Sequence, residues 1–168
     1  MKTKTVAQTG VLIALALVLS YVESLFPAFT SVPGVRIGLA NIAVVFALYR
    51  LGFANAMGIS LTRVVISSLL FGSVLSMVYS AAGAIISLIV MALLKKTGLF
   101  SPVAVSVAGG VSHNLGQIGV ACLILQTSAL VYYVPALIIC GVVAGVVIGF
   151  IAAVVLDRVN GDEDGRKG

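Results

Sequence analysis

Apolar residues run along this chain in long blocks, and polar residues fall between them. From Val6 to Phe26 the block is about 20 residues long, the length an α-helix needs to cross the hydrocarbon core of a bilayer. Further blocks run from Ile37 to Leu51, Phe53 to Phe71, Val74 to Leu94, Pro102 to Leu125 and Tyr132 to Leu156. The breaks between them carry turn formers: Pro27, Pro33 and Gly34; Gly52; Gly72 and Ser73; Lys95 to Gly98; and Gln126 to Ser128. The pattern predicts an all-α polytopic membrane protein, a bundle of about six transmembrane helices over residues 1–156. A charged, Gly-rich stretch over 157–168 is expected to be a flexible tail. The second block is short, so its helix is expected to be tilted or partly re-entrant.

Composition agrees with lipid as solvent. Of the 168 residues, 61% are apolar and 9% charged, where a soluble domain averages about 25% charged. Lipid-exposed backbone must satisfy its own hydrogen bonds, which leaves helices as the economical solution. Lys2 and Lys4 ahead of an apolar run resemble a signal peptide. The run is longer than a usual signal core and no small-residue cleavage site follows, so it reads as a retained helix. Cys122 and Cys140 sit in separate apolar blocks and read as small apolar residues.

The net charge of +5 does not form a patch beside aromatic residues, so nucleic acid is not an expected partner. Lys2, Lys4, Arg50, Lys95, Lys96, Arg158, Arg166 and Lys167 fall on one side of the predicted topology, and Arg36 on the other. The positive-inside rule then places the chain in the cell membrane as a multi-pass protein with both termini cytoplasmic. An even number of spans is needed for that.

Polar residues inside the blocks are few, and each costs enough to need a reason. Arg63 lies in the middle of the third block. It is either a structural arginine, paired with Glu23 or bonded to carbonyls, or an anchor for an anionic ligand. Glu23, near the end of the first block, is a partner for Arg63, a proton-coupling group or an interfacial carboxylate. Ser112, His113, Asn114 and Gln117 cluster in the fifth block, with Gly109, Gly110 and Gly116 around them. His113 and Gln117 are four apart and share a helix face. The cluster either bonds helices together or lines a pocket, and its density favours the pocket. Arg36 and Asn41 flank Gly38 where a pocket mouth is expected. Tyr79, Tyr132 and Tyr133 suit an aromatic belt at the membrane surface.

Small residues recur at four-residue intervals: Gly10 and Ala14 in the first block, Ala104, Ala108, Ser112 and Gly116 in the fifth, and Gly141, Gly145 and Gly149 in the sixth. Such stripes let helix backbones approach closely, either within the bundle or against another membrane protein. The second use suits Gly10 and Ala14 best.

Catalytic motifs are missing. There is no P-loop, no GxSxG and no HExxH. A lone His113 without Cys or carboxylate at ligand spacing does not make a metal site, so neither metal nor cofactor is expected. The acidic cluster Asp162, Glu163 and Asp164 lies in the tail, away from the blocks, so no catalytic residue is proposed for Mg²⁺-dependent diphosphate chemistry.

The run Val32 to Asn41 (VPGVRIGLAN) resembles the loop and second helix of the bacterial Gx transporter family. Arg63, Leu70-Phe71-Gly72-Ser73, Tyr79-Ser80 with Gly83, and Ser112 to Gln117 (SHNLGQ) fit the same family, and the likeness covers residues 6–156. Members often carry the label heptaprenyl diphosphate synthase component I, and the family is similar to the substrate-binding S components of energy-coupling factor (ECF) transporters. The resemblance implies an S-component-like bundle that binds a small vitamin-like or anionic solute near the outer face. Its energy would come from separate ATPases through a membrane coupling subunit, which would dock partly on Gly10 and Ala14. On this reading Arg63 neutralises the solute, His113, Asn114 and Gln117 orient it, Arg36 and Asn41 sit at the mouth, and Glu23 and Tyr79 complete the set of candidate binding residues. The label implies an alternative, a non-catalytic membrane subunit associated with heptaprenyl diphosphate synthesis.

Overall fold

The computed structural model describes residues 3–25 and 38–165, with side chains as far as Val159. Its elements are α1 (Thr3–Ser24), α2 (Asn41–Arg50), α3 (Phe53–Phe71), α4 (Val74–Thr97), α5 (Pro102–Leu125), a 3₁₀ turn (Ala129–Tyr133) and α6 (Val134–Gly165). Among the described residues there is no strand, and five of the helices are long and apolar enough to cross a bilayer. The fold is that of an all-α polytopic membrane protein. The loop between Pro27 and Pro33, and Arg36, lie outside the described residues.

Local chemistry ends the helices where the blocks end. Gly52 takes φ +85° and separates α2 from α3. Ser73 caps α4: its hydroxyl accepts from the Ser76 amide, and the Ser76 hydroxyl accepts from the Ser73 amide in return. Gly98, at φ +69°, closes α4 in the left-handed conformation that glycine adopts without steric cost. Ser101 caps α5 and Pro102 occupies its first turn, where a missing N–H costs nothing.

Lys95, Lys96 and Thr97, expected in a link, instead form the last turn of α4, and two helices depart further from expectation. At 10 residues α2 is about 15 Å long, half of a bilayer core. It starts at Asn41, later than the expected Ile37. Its flanks are buried: Ala43, Val44, Val45, Ala47 and Leu48 pack against Leu12 and Ala16 of α1, Ile59 of α3, Leu88 of α4 and Ile148 of α6. This is the pattern of a helix apolar all round, placed inside rather than at the lipid surface. The other departure is α6, which runs past Leu156 to Gly165; its 32 residues make it about 48 Å long, more than one span.

Large side chains such as Val11, Leu69, Leu123 and Phe150 point out of the bundle, as lipid-facing residues do. Lys4 lies at the start of α1, Arg50 at the end of α2 and Lys95 and Lys96 at the end of α4, all at one end of the bundle, toward which Arg158 of α6 also lies. There the Lys95 ammonium donates to the Leu48 carbonyl at 2.7 Å and lies 4.9 Å from the Tyr49 ring centre. The bond satisfies a carbonyl in the last turn of α2 and places a cation at that helix's negative end.

Along the α5–α6 seam the two helices meet backbone to backbone. A Cβ added at Gly110 would lie 2.6 Å from the Gly141 carbonyl oxygen, and one at Gly145 would lie 2.5 Å from Val107 Cα. A Cβ at Gly149 would meet Val103 Cα at 2.7 Å. The four-residue stripe of α6 is therefore consumed by packing inside the bundle.

Candidate functional site

Opposite the basic end, the described helices leave a polar cavity between them. Close backbone contact makes it possible. Gly83 of α4 packs on α5 so tightly that a Cβ there would meet the His113 carbonyl and Gln117 Cγ, each at 2.7 Å. Gly116 packs back against Gly83 and Ile86. The absence of side chains at this crossing brings Ser80 within reach of Gln117, whose amide donates to the Ser80 hydroxyl at 3.2 Å. Ser87, two turns further along α4, donates to the Gly109 carbonyl at 2.8 Å.

Each of the six α-helices then contributes to the wall of the cavity. Glu23 comes from α1, Asn41 from α2, Arg63 from α3, Ser80 from α4, and His113 and Asn114 from α5, while Ala144 and Ile148 of α6 supply an apolar side. Arg63 is only 5% exposed, in the middle of its helix. A guanidinium stays ionised in such a place and must be met by acceptors. One is the Asn41 side-chain oxygen, which accepts from Arg63 Nη2 at a long 3.5 Å. Glu23 accepts from the Gly38 amide at 2.7 Å, tying the end of α1 to the approach to α2. Gly38 holds φ +78°, and a Cβ there would stand 3.2 Å from the Asn41 amide nitrogen, so glycine shapes this corner of the wall. Asn114 donates to the Leu137 carbonyl at 2.8 Å and fixes the start of α6 beside α5.

The cavity is small, about 30 Å³. That is room for a few water-sized atoms at most. A second chamber of about 160 Å³ adjoins it, sharing Ser80 and Asn114 in its wall. Gln117 and Tyr79 line this chamber, with Ile118, Ala121, Leu125, Leu130 and Leu137 making most of the rest. The Tyr79 hydroxyl is buried with no hydrogen-bond partner among the described residues.

The structure thus brings Arg63, His113, Asn114, Asn41 and Glu23 around one cavity and sets Gln117 and Tyr79 around its neighbour. Arg36 lies outside the described residues. Ser112 turns away from the cluster: its hydroxyl donates to the Ala108 carbonyl of its own helix at 2.7 Å. Ser80 was not singled out as a site residue, although Ser76, Ser80, Gly83 and Ser87 recur at spacings of four, three and four, which marks one face of α4. Gly10 and Ala14 face out of the bundle, and a Cβ at Gly10 would meet nothing within 4 Å among the described residues. Among the described residues no group of His, Cys, Asp and Glu has the makings of a metal site.

A helical membrane protein with an internal polar cavity is the class that these features define. Residues 12–155 match the family described as heptaprenyl diphosphate synthase component I, the Gx transporter family, and the chain belongs to it. No curated protein and no solved structure matches the chain.

Proposed function

We propose that this protein is the solute-binding subunit of a membrane uptake system, S-component-like, for a small vitamin-like or anionic solute. The carrying observation is Arg63, a charge buried at mid-helix in the wall of a cavity to which each of the six α-helices contributes. A charge that costs this much to bury is retained where it recognises something. The basic end of the bundle faces the cytoplasm by the positive-inside rule, so the cavity lies in the outer half of the cell membrane and both termini lie inside. Energy comes from a separate ATPase module through a membrane coupling subunit, and the open face of α1 around Gly10 and Ala14 is the proposed contact.

The test is retention and uptake. Protein purified from cells in mild detergent should carry a small metabolite, detected by mass spectrometry of the denatured eluate. Arg63→Ala should lose that metabolite and lower cellular uptake of it by on the order of 10-fold or more. No retained metabolite, with unchanged uptake in Arg63→Ala, would remove the proposal.

A second reading, a non-catalytic membrane subunit in heptaprenyl diphosphate synthesis, is favoured by the family's description. It requires that the protein co-purify with a prenyl synthase and that deletion abolish the long-chain product.

A further inference from the structure

The two adjoining chambers differ in chemistry and in size, and together they describe a ligand. We infer that the solute is amphipathic, with a compact polar end against Arg63 and an apolar body of about one ring between α4, α5 and the start of α6. This rests on the reading that the cavity takes a solute, and it narrows the solute's class.

The polar end is set by the first chamber. Arg63, Asn41 and His113 line this small space with groups suited to a compact anion such as a carboxylate. A carboxylate matches that small space better than a bulkier diphosphate does. The apolar body is set by the second chamber. A dry protein cavity of about 150 Å³ holds a benzene molecule, and this one is about 160 Å³ with walls of Ile118, Ala121, Leu130 and Leu137. One ring or one five-carbon branch matches that volume, and a long prenyl chain exceeds it. Ser80 and Asn114 line both chambers and stand between them, so the solute that joins the two runs past these side chains.

Tyr79 adds a third element. Its hydroxyl is buried without a partner among the described residues and is closed to solvent, so a solute that shifts the chamber wall and supplies the partner gains affinity. The body of the solute therefore carries a hydrogen-bonding group at the edge that meets Tyr79.

The experiment compares probes on the purified full chain in lipid nanodiscs, read by thermal shift and by binding isotherms. 4-Hydroxyphenylacetate combines a carboxylate, one ring and a distal hydroxyl; acetate keeps only the polar end; farnesyl diphosphate replaces the ring by a long chain and the carboxylate by a diphosphate. The first should bind on the order of 10-fold or more tighter than either of the others. Ala121→Phe, which fills the second chamber, should abolish that binding. Ile118→Ala, which enlarges it, should shift preference towards 4-propylphenylacetate. Tyr79→Phe should weaken 4-hydroxyphenylacetate about 5-fold without lowering the melting temperature, because an orphan hydroxyl is removed from the empty protein.

Equal binding of acetate, tighter binding of farnesyl diphosphate, or failure of 4-hydroxyphenylacetate to bind overturns the inference. So does wild-type behaviour of both chamber variants. If the retained metabolite proves wholly polar or long-chained yet still depends on Arg63, the amphipathic assignment fails while the solute-binding role stands. If nothing is retained and Arg63→Ala transports normally, the role itself fails.

Discussion

Gly141, Gly145 and Gly149 on α6 share a four-residue spacing with Gly10 and Ala14 on α1, yet the two stripes occupy opposite surroundings. The α6 stripe lies against the α5 backbone, where even one added carbon would fall 2.5–3.0 Å from Val103, Val107 and Val111. The α1 stripe faces outward into open space. Small residues in a membrane helix permit close approach without specifying to what. In α6 the permission is used within the chain, and it is what brings Asn114 to Leu137 and closes the cavity wall. In α1 it is left for something outside, lipid or a partner. The outer faces of α1, including Val11, Leu15 and Val18, are also exposed, so this helix is the least enclosed of the long spans.

Substitutions should separate the two stripes sharply. Gly145→Leu should have the largest effect, destabilising the bundle by more than about 3 kcal/mol, because the obstacle is backbone that no rotamer change can move aside. Thermal denaturation in detergent, with monodispersity as a second readout, checks this; a stable variant would mean that the seam is looser than described. Asn114→Ala removes the bond to Leu137 across the same seam and should cost about 1 kcal/mol, in the range of interhelical hydrogen bonds in membranes. Chemical unfolding in mixed micelles is sensitive enough to read it. Gly10→Ala should move in the other direction. Alanine is the better helix former by up to about 1 kcal/mol, and no neighbour is displaced, so the isolated protein should be slightly more stable. The comparison sharpens further with Gly10→Leu and Ala14→Leu, which should leave stability within about 0.5 kcal/mol of wild type. Uptake in cells should nevertheless fall in both if α1 contacts the coupling subunit. Unchanged uptake would assign that face to lipid.

The helices themselves were largely legible from the chain. α3 and α5 occupy the spans expected for them, because Gly52, Ser73 and Pro102 punctuate through local backbone preferences that need no tertiary partner. α2 was harder to read, since an apolar block of its length is compatible both with a tilted span and with a short buried helix. Only the packing of Leu48, Val44 and Ala47 among residues of α1, α3, α4 and α6 distinguishes them. The polar residues worth attention were visible too, because a charge or amide in an apolar block stands out by its cost. Ser80 was overlooked: a serine is cheap enough in a membrane helix to look ordinary, and its role depends on Gly83 and Gln117.

By itself the sequence determined that this protein dissolves in lipid as a helical bundle, and which end of the bundle carries the positive charge. Both follow from sums over many residues, apolar length and Lys/Arg asymmetry, that no particular arrangement of helices alters. Tertiary structure decided which polar residues share a cavity. Arg63, Asn41, Glu23 and His113 lie on four different helices, and their meeting depends on glycine crossings at Gly83–Gly116 and Gly110–Gly141. It also decided that Gln117 and Tyr79 line an apolar chamber beside that cavity. A side chain's surroundings are set by the rotation and depth of its helix against its neighbours. Those depend on ångström-scale backbone contact between residues far apart in the chain.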